Sequence, residues 1–135
     1  KFIEFIKLVS KKYNSRFFLA TGKSSEEQKI LKEILRSKYK SKCYKLDNLT
    51  IKKILPVICN CDIAICNDSS FSHLSAALGI KTIVLMVDTP LMYGSYNKYM
   101  HAILPDGKKT VTHDTLGKNK INSKKIFNKF IKIIK

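Results

Sequence analysis

The residues best placed to do chemistry are Asn67, Asp68, Ser69 and Ser70, with His73 just beyond them. The first four favour turns and helix N-caps over helix interiors. Before them, Ile63, Ala64, Ile65 and Cys66 make an apolar run too short for a helix and suited to a strand buried on both faces. After them, Phe71, Leu74, Ala77 and Leu78 recur at helical spacing, and Gly79 stands where a helix C-terminus wants a left-handed residue. The pattern predicts strand, tight polar turn, short helix. Such a turn aims the first free N–H groups of the helix, and its positive dipole end, past the C-terminal edge of the strand. An anion fits there, a phosphate most naturally. The same residues serve equally well as a plain cap that binds nothing, and by themselves they leave the two readings level.

The other reactive side chains point to less. Cys43, Cys59, Cys61 and Cys66 do not form paired CxxC knuckles, so buried free thiols in a reducing cytoplasm are favoured over zinc or a disulfide. The formal charge of +16 invites a nucleic-acid partner, but only Arg16 and Arg36 are arginines and no basic–aromatic cluster appears. Base readout and phosphate clamping favour arginine, so a solvated lysine surface is the better reading and no nucleic acid is expected. Attraction to an anionic membrane face is compatible with that surface. Nothing approaches the run of roughly 18 apolar residues that a spanning helix needs, and a soluble, cytoplasmic domain is expected.

The elements that must position the turn follow from periodicity. Phe2, Phe5, Ile6 and Val9 share a face of a helix over residues 1 to 13. Arg16 to Thr21 reads as a buried strand released by Gly22. Ser24 and Ser25 before Glu26 and Glu27 give an N-cap and first-turn acids to a second helix over 25 to 37. Cys43 to Leu46 is a short strand. Thr50 caps a third helix that carries Pro56, where the missing hydrogen bond predicts a kink. Lys81 to Met86 is a buried strand, Asp88 to Ser95 a loop, and His101 to Leu104 a last strand. Residues 105 to 122 read as an irregular loop, and Ile126, Phe127, Phe130, Ile131 and Ile134 make a closing amphipathic helix. Nearly all-apolar strands alternating with helices predict an α/β fold, a Rossmann-like parallel sheet with helices on both faces. In such sheets ligands gather beyond the C-terminal strand ends, near Gly22, Asp68 and Asp88.

The run from Asn67 to Ile80, followed by Thr82-Ile-Val-Leu, Asp88-Thr-Pro and Tyr93-Gly94, resembles glycosyltransferase family 9, the heptosyltransferases of lipopolysaccharide core assembly. Their signature is an Asp-(Thr/Ser)-Gly-x-x-His-x-x-Ala-Ala turn and helix, and the similarity looks continuous from about residue 15 to 104. The resemblance implies that residues 1–135 form a single nucleotide-sugar-binding domain, the C-terminal, donor-binding half of a two-domain B-type glycosyltransferase. It implies an inverting transfer from a nucleotide-diphosphate sugar, commonly ADP-heptose, to a lipid-linked glycan acceptor, without metal or other cofactor. Carried over residue by residue, Asp68 would meet the donor sugar, Ser69 and Ser70 the diphosphate, Glu26 the ribose, and Leu49 the adenine. His73 would orient the phosphate turn, or serve as a core histidine. The catalytic base belongs to the family's N-terminal acceptor domain, which this stretch does not resemble, so by itself it is expected to be inactive. Peripheral contact with the anionic inner-membrane face fits such an acceptor.

Three positions depart from the family pattern. Ser70 stands for the usual Gly of the turn, Lys81 for the usual Pro after the central helix, and Val87 for the Gly before the Asp-Thr-Pro loop. A Cβ at Ser70 crowds a diphosphate unless its φ is negative. A degenerate relative that binds a protein partner or an anionic membrane is therefore the alternative.

Overall fold

The computed structural model describes residues 1–115, 117 and 120–135. It divides into two compact units, Lys1–Ile54 and Leu55–Lys135. Every strand pairing is parallel and helices flank the strands, so the α/β class expected from the sequence is the one observed.

In the first unit, α1 (Phe2–Lys12) buries Phe5, Ile6 and Val9, with Glu4 in its first turn and Lys11 and Lys12 in its last, each sign matched to the helix dipole. β1 (Phe17–Leu19) pairs with β2 (Cys43–Lys45), and α2 (Ser25–Arg36) lies between them in the chain. Ile6, Ile34 and Cys43 form the core of this unit, with Phe17 and Leu19 packed against them. Phe18 and Tyr44, opposite one another in the register, point the other way and stack with ring centroids 5.5 Å apart. Here the expectation of a fully buried strand fails. Side chains alternate along a strand, and Phe18 remains 42% exposed on the face away from the Ile6–Ile34–Cys43 core. The third helix, α3 (Ile51–Cys59), continues through Pro56, which has no N–H to donate.

The second unit holds a three-stranded sheet in the order β3 (Ala64–Asn67), β4 (Thr82–Leu85), β5 (Met100–Ile103). Flanked on both sides, β4 is wholly buried, and Ile83, Val84 and Leu85 have no exposed surface. β3, with β4 as its one partner among the described strands, is half-buried rather than buried on both faces. α4 (Ser70–Ala77) joins β3 to β4 and stops as the sequence predicts. Gly79 has φ +79°, its N–H bonds Ala76 C=O, and Ile80 N–H reaches Ser75 C=O, the paired bonds of a Schellman ending.

The last helix, α5 (Ser123–Ile134), is capped by Asn122, whose Oδ1 accepts from Lys125 N–H at 2.9 Å. Lys125 Nζ donates to Leu104 C=O at 2.7 Å and to Asp106 Oδ1 at 2.8 Å, fixing the start of the helix just past β5. Lys81 Nζ donates to Ile133 C=O at 2.8 Å, so a cation satisfies a carbonyl in the last turn. Of the loop expected over 105 to 122, residues 116, 118 and 119 lie outside the described residues. Among the described residues no helix is long and apolar enough to cross a membrane.

Candidate functional site

β3 ends at Asn67 and α4 begins at Ser70, leaving Asp68 and Ser69 as the whole of the turn between them. Ser69 is the N-cap, with extended φ and ψ of −161° and 167°. The buried Ser72 hydroxyl bonds it twice, accepting from Ser69 N–H at 3.3 Å and donating to Ser69 C=O at 2.6 Å. The Ser72 side of this capping box takes Ser69 N–H away from any ligand. The first donors of the helix that lack an intrahelical acceptor are then Ser70 and Phe71 N–H. Ser70 opens the helix and is exposed. Its φ is therefore helical and negative, so a side chain sits there without left-handed strain.

Asp68 is held close to these donors, its side chain 14% exposed. Its Oδ1 is buried and accepts no hydrogen bond. His73 Nε2 stands 3.6 Å from it, beyond hydrogen-bond length. Asp68 and His73 meet because His73 lies one helical turn beyond the N-cap, on the face that overhangs the turn. The other ring nitrogen, Nδ1, is 2.8 Å from the Tyr96 hydroxyl, and the two rings stack with centroids 5.7 Å apart. The His73 side chain is 38% exposed.

Tyr96 was not foreseen. It follows a 3₁₀ turn at Leu91–Gly94, whose Gly94 backbone packs so tightly on Met86 that a Cβ there would strike the sulfur. The only sequence signal was the Pro90 and Gly94 loop chemistry, which marks a turn but says nothing of where its aromatic ring goes.

The structure brings Asp68, Ser69, Ser70 and His73 together around one turn. Glu26 and Leu49 belong to the other compact unit: Glu26 lies in the exposed first turn of α2, and Leu49, 41% exposed, precedes α3. In that first turn Glu27 holds the more defined geometry. Its Oε2 accepts from Ser24 Oγ at 2.6 Å and its Oε1 from Gly22 N–H at 3.1 Å. The Ser24 bond first, then Gly22, hold the Glu27 carboxyl below the usual carboxylate range.

Two hollows, of about 360 and 350 Å³, lie beside α5 and along α2, and neither includes the Asp68 turn. With Ser70 exposed, the start of α4 forms a solvent-facing ledge. The cysteines are free, and burial pushes the Cys66 thiol up to about 12, so it is no nucleophile at neutral pH.

The family model of glycosyltransferase family 9 (heptosyltransferase) matches residues 1–120. The chain belongs to that family. Two solved structures share its fold. The E. coli heptosyltransferase WaaC with ADP superposes with a TM-score of 0.76 at 19% identity, over 98% of this chain and 38% of that one. The E. coli ADP-heptose lipopolysaccharide heptosyltransferase II gives 0.74 at 18% identity, over 98% and 40%. The chain therefore spans about two fifths of the length of these two heptosyltransferases. No curated protein sequence matches it.

Proposed function

We propose that this chain is the donor-binding half of an inverting glycosyltransferase that takes a sugar from a nucleotide diphosphate, with ADP-heptose the favoured donor, in lipopolysaccharide or surface glycan assembly. One observation carries the reading: Ser70 and Phe71 N–H open a helix just after Asp68, whose Oδ1 is buried without a donor, at the C-terminal end of a parallel strand. Breaking a glycosyl–phosphate bond develops negative charge on the departing diphosphate. Amides fixed in place before the reaction bind that charge more strongly as it grows, which lowers the barrier. Asp68 accepts from hydroxyls of the donor sugar, which supply the hydrogen bond its Oδ1 lacks. Ser69 and Ser70 meet the diphosphate, Glu26 the ribose and Leu49 the adenine.

Residues 1–135 act as one nucleotide-sugar-binding domain, a reading supported by a family match that runs across both compact units. The acceptor, a lipid-linked glycan, and the base that deprotonates its hydroxyl are assigned to a separate N-terminal domain. The chain alone is then inactive in transfer, and no cofactor is needed. α5, with Lys124, Lys125, Lys129 and Lys132 and no acid, suits peripheral contact with an anionic inner-membrane face from the cytoplasm. Calorimetric titration of the chain with ADP-heptose, ADP and UDP tests the reading. Preference for the adenine nucleotides supports it; absence of binding by all three, together with salt-sensitive binding to anionic vesicles, favours the non-catalytic alternative.

A further inference from the structure

We propose that Tyr96 is a positioning residue of the donor site, one that fixes the tautomer of His73; this rests on the reading of the Asp68 turn given above. The Asp68 carboxylate oxygen stands 3.6 Å from His73 Nε2 and has no hydrogen-bond donor of its own. A neutral imidazole with its lone pair on Nε2 would turn that lone pair toward the carboxylate, which is repulsive. Asp68 thus biases the proton toward Nε2 without holding it there, and Nδ1 is then the acceptor. The Tyr96 hydroxyl, 2.8 Å from Nδ1, supplies the donor that locks this tautomer.

The consequence is directional. With Nδ1 occupied, the Nε2–H is kept facing Asp68 and the ledge formed by the start of α4, where it adds a third donor to those of Ser70 and Phe71. Tyr96 also ties the loop that follows the Leu91–Gly94 turn to the Asp68 turn, since its ring is carried by one and bonded to the other. The hydroxyl is thus a polar link between these two segments.

Tyr96→Phe keeps the ring and removes only the hydroxyl. Long-range ¹H–¹⁵N spectra of the chain, recorded near pH 8.5 so that histidine is neutral, report the tautomer directly, with the His73 signals assigned by their loss in His73→Gln. The wild-type chain is expected to show the Nε2–H form, and Tyr96→Phe a mixture of the two, with the other histidines unmoved. An unchanged tautomer in Tyr96→Phe overturns the proposal, whatever the nucleotide data say. ADP binding is the separate arm. A Tyr96→Phe loss of about two- to tenfold, the usual worth of one neutral hydrogen bond, supports the link to the donor site. If wild-type protein shows the Tyr96-dependent tautomer but binds no ADP, the positioning stands and the donor-site reading falls.

Discussion

Asp68→Ala is expected to weaken ADP-heptose binding by about 10- to 100-fold, the range for losing a charge-assisted hydrogen bond. No single lysine substitution is expected to match that, because exposed ion pairs contribute little. The same change should leave the unfolding midpoint level or higher, since a buried oxygen without a donor costs stability rather than adding it. Calorimetry and denaturant melts on one sample separate the two effects, and a large loss of both would show that Asp68 is structural. His101 gives a pH prediction of definite sign. Burial first, then Lys129 and Lys81, hold its imidazolium below the usual histidine range. The folded chain therefore takes up the proton less readily than the unfolded one. Stability should be full above about pH 6.5 and fall as pH drops through that value, levelling off once the folded form is protonated too. Urea melts across that range should show the decline, and His101→Gln should flatten it. At this scale the sequence was a partial guide. Asp68, Ser69, Ser70 and His73 were legible because a turn and one helical turn bring them together locally. Tyr96 was not, since no local rule connects residues so far apart, and the reach of Glu27 back to Gly22 showed only as first-turn acidity.

Among the elements, β4 is the one on which the second unit depends most. Val84→Ala removes two methyl groups from a site with no exposed surface and should cost about 2 to 4 kcal/mol. A substitution at Phe18, exposed on β1, should cost far less, and equal losses at the two positions would contradict the packing described here. Helices were the most legible elements, because α1, α2 and α5 each carry a wide apolar stripe with capping chemistry at one end. The end of α4 could be read to the residue, since only a left-handed position explains a lone Gly79 before a new apolar run. β1 misled. An unbroken apolar run signals burial on both faces only if both faces are covered, and coverage is a property of neighbours that Phe17-Phe18-Leu19 does not encode. β3 was overread for the same reason.

For the molecule as a whole, charge is the dominant unbalanced quantity. A formal net charge of +16 on 135 residues means self-repulsion that ion pairs such as Lys7–Glu4 and Lys125–Asp106 do little to relieve. Raising salt from roughly 20 to 300 mM shortens the screening length several-fold, so the melting temperature should rise. A fall instead would mean that specific ion pairs outweigh the repulsion. Fold class and family were legible at this scale because strand–helix alternation and the Asp68 motif both survive a lysine-rich composition. The division into two compact units was not, since it reflects which strands pair with which. One departure from the family pattern is answered inside the fold. Lys81, standing for a proline, exchanges a stiff corner for a tether, its ammonium hooked on the carbonyl of Ile133, 52 residues downstream. Clipping the chain ahead of Ile133, by protease or by cloning, would unhook that tether and loosen the approach to β4, so damage at the far end of α5 would be felt at the centre of the sheet.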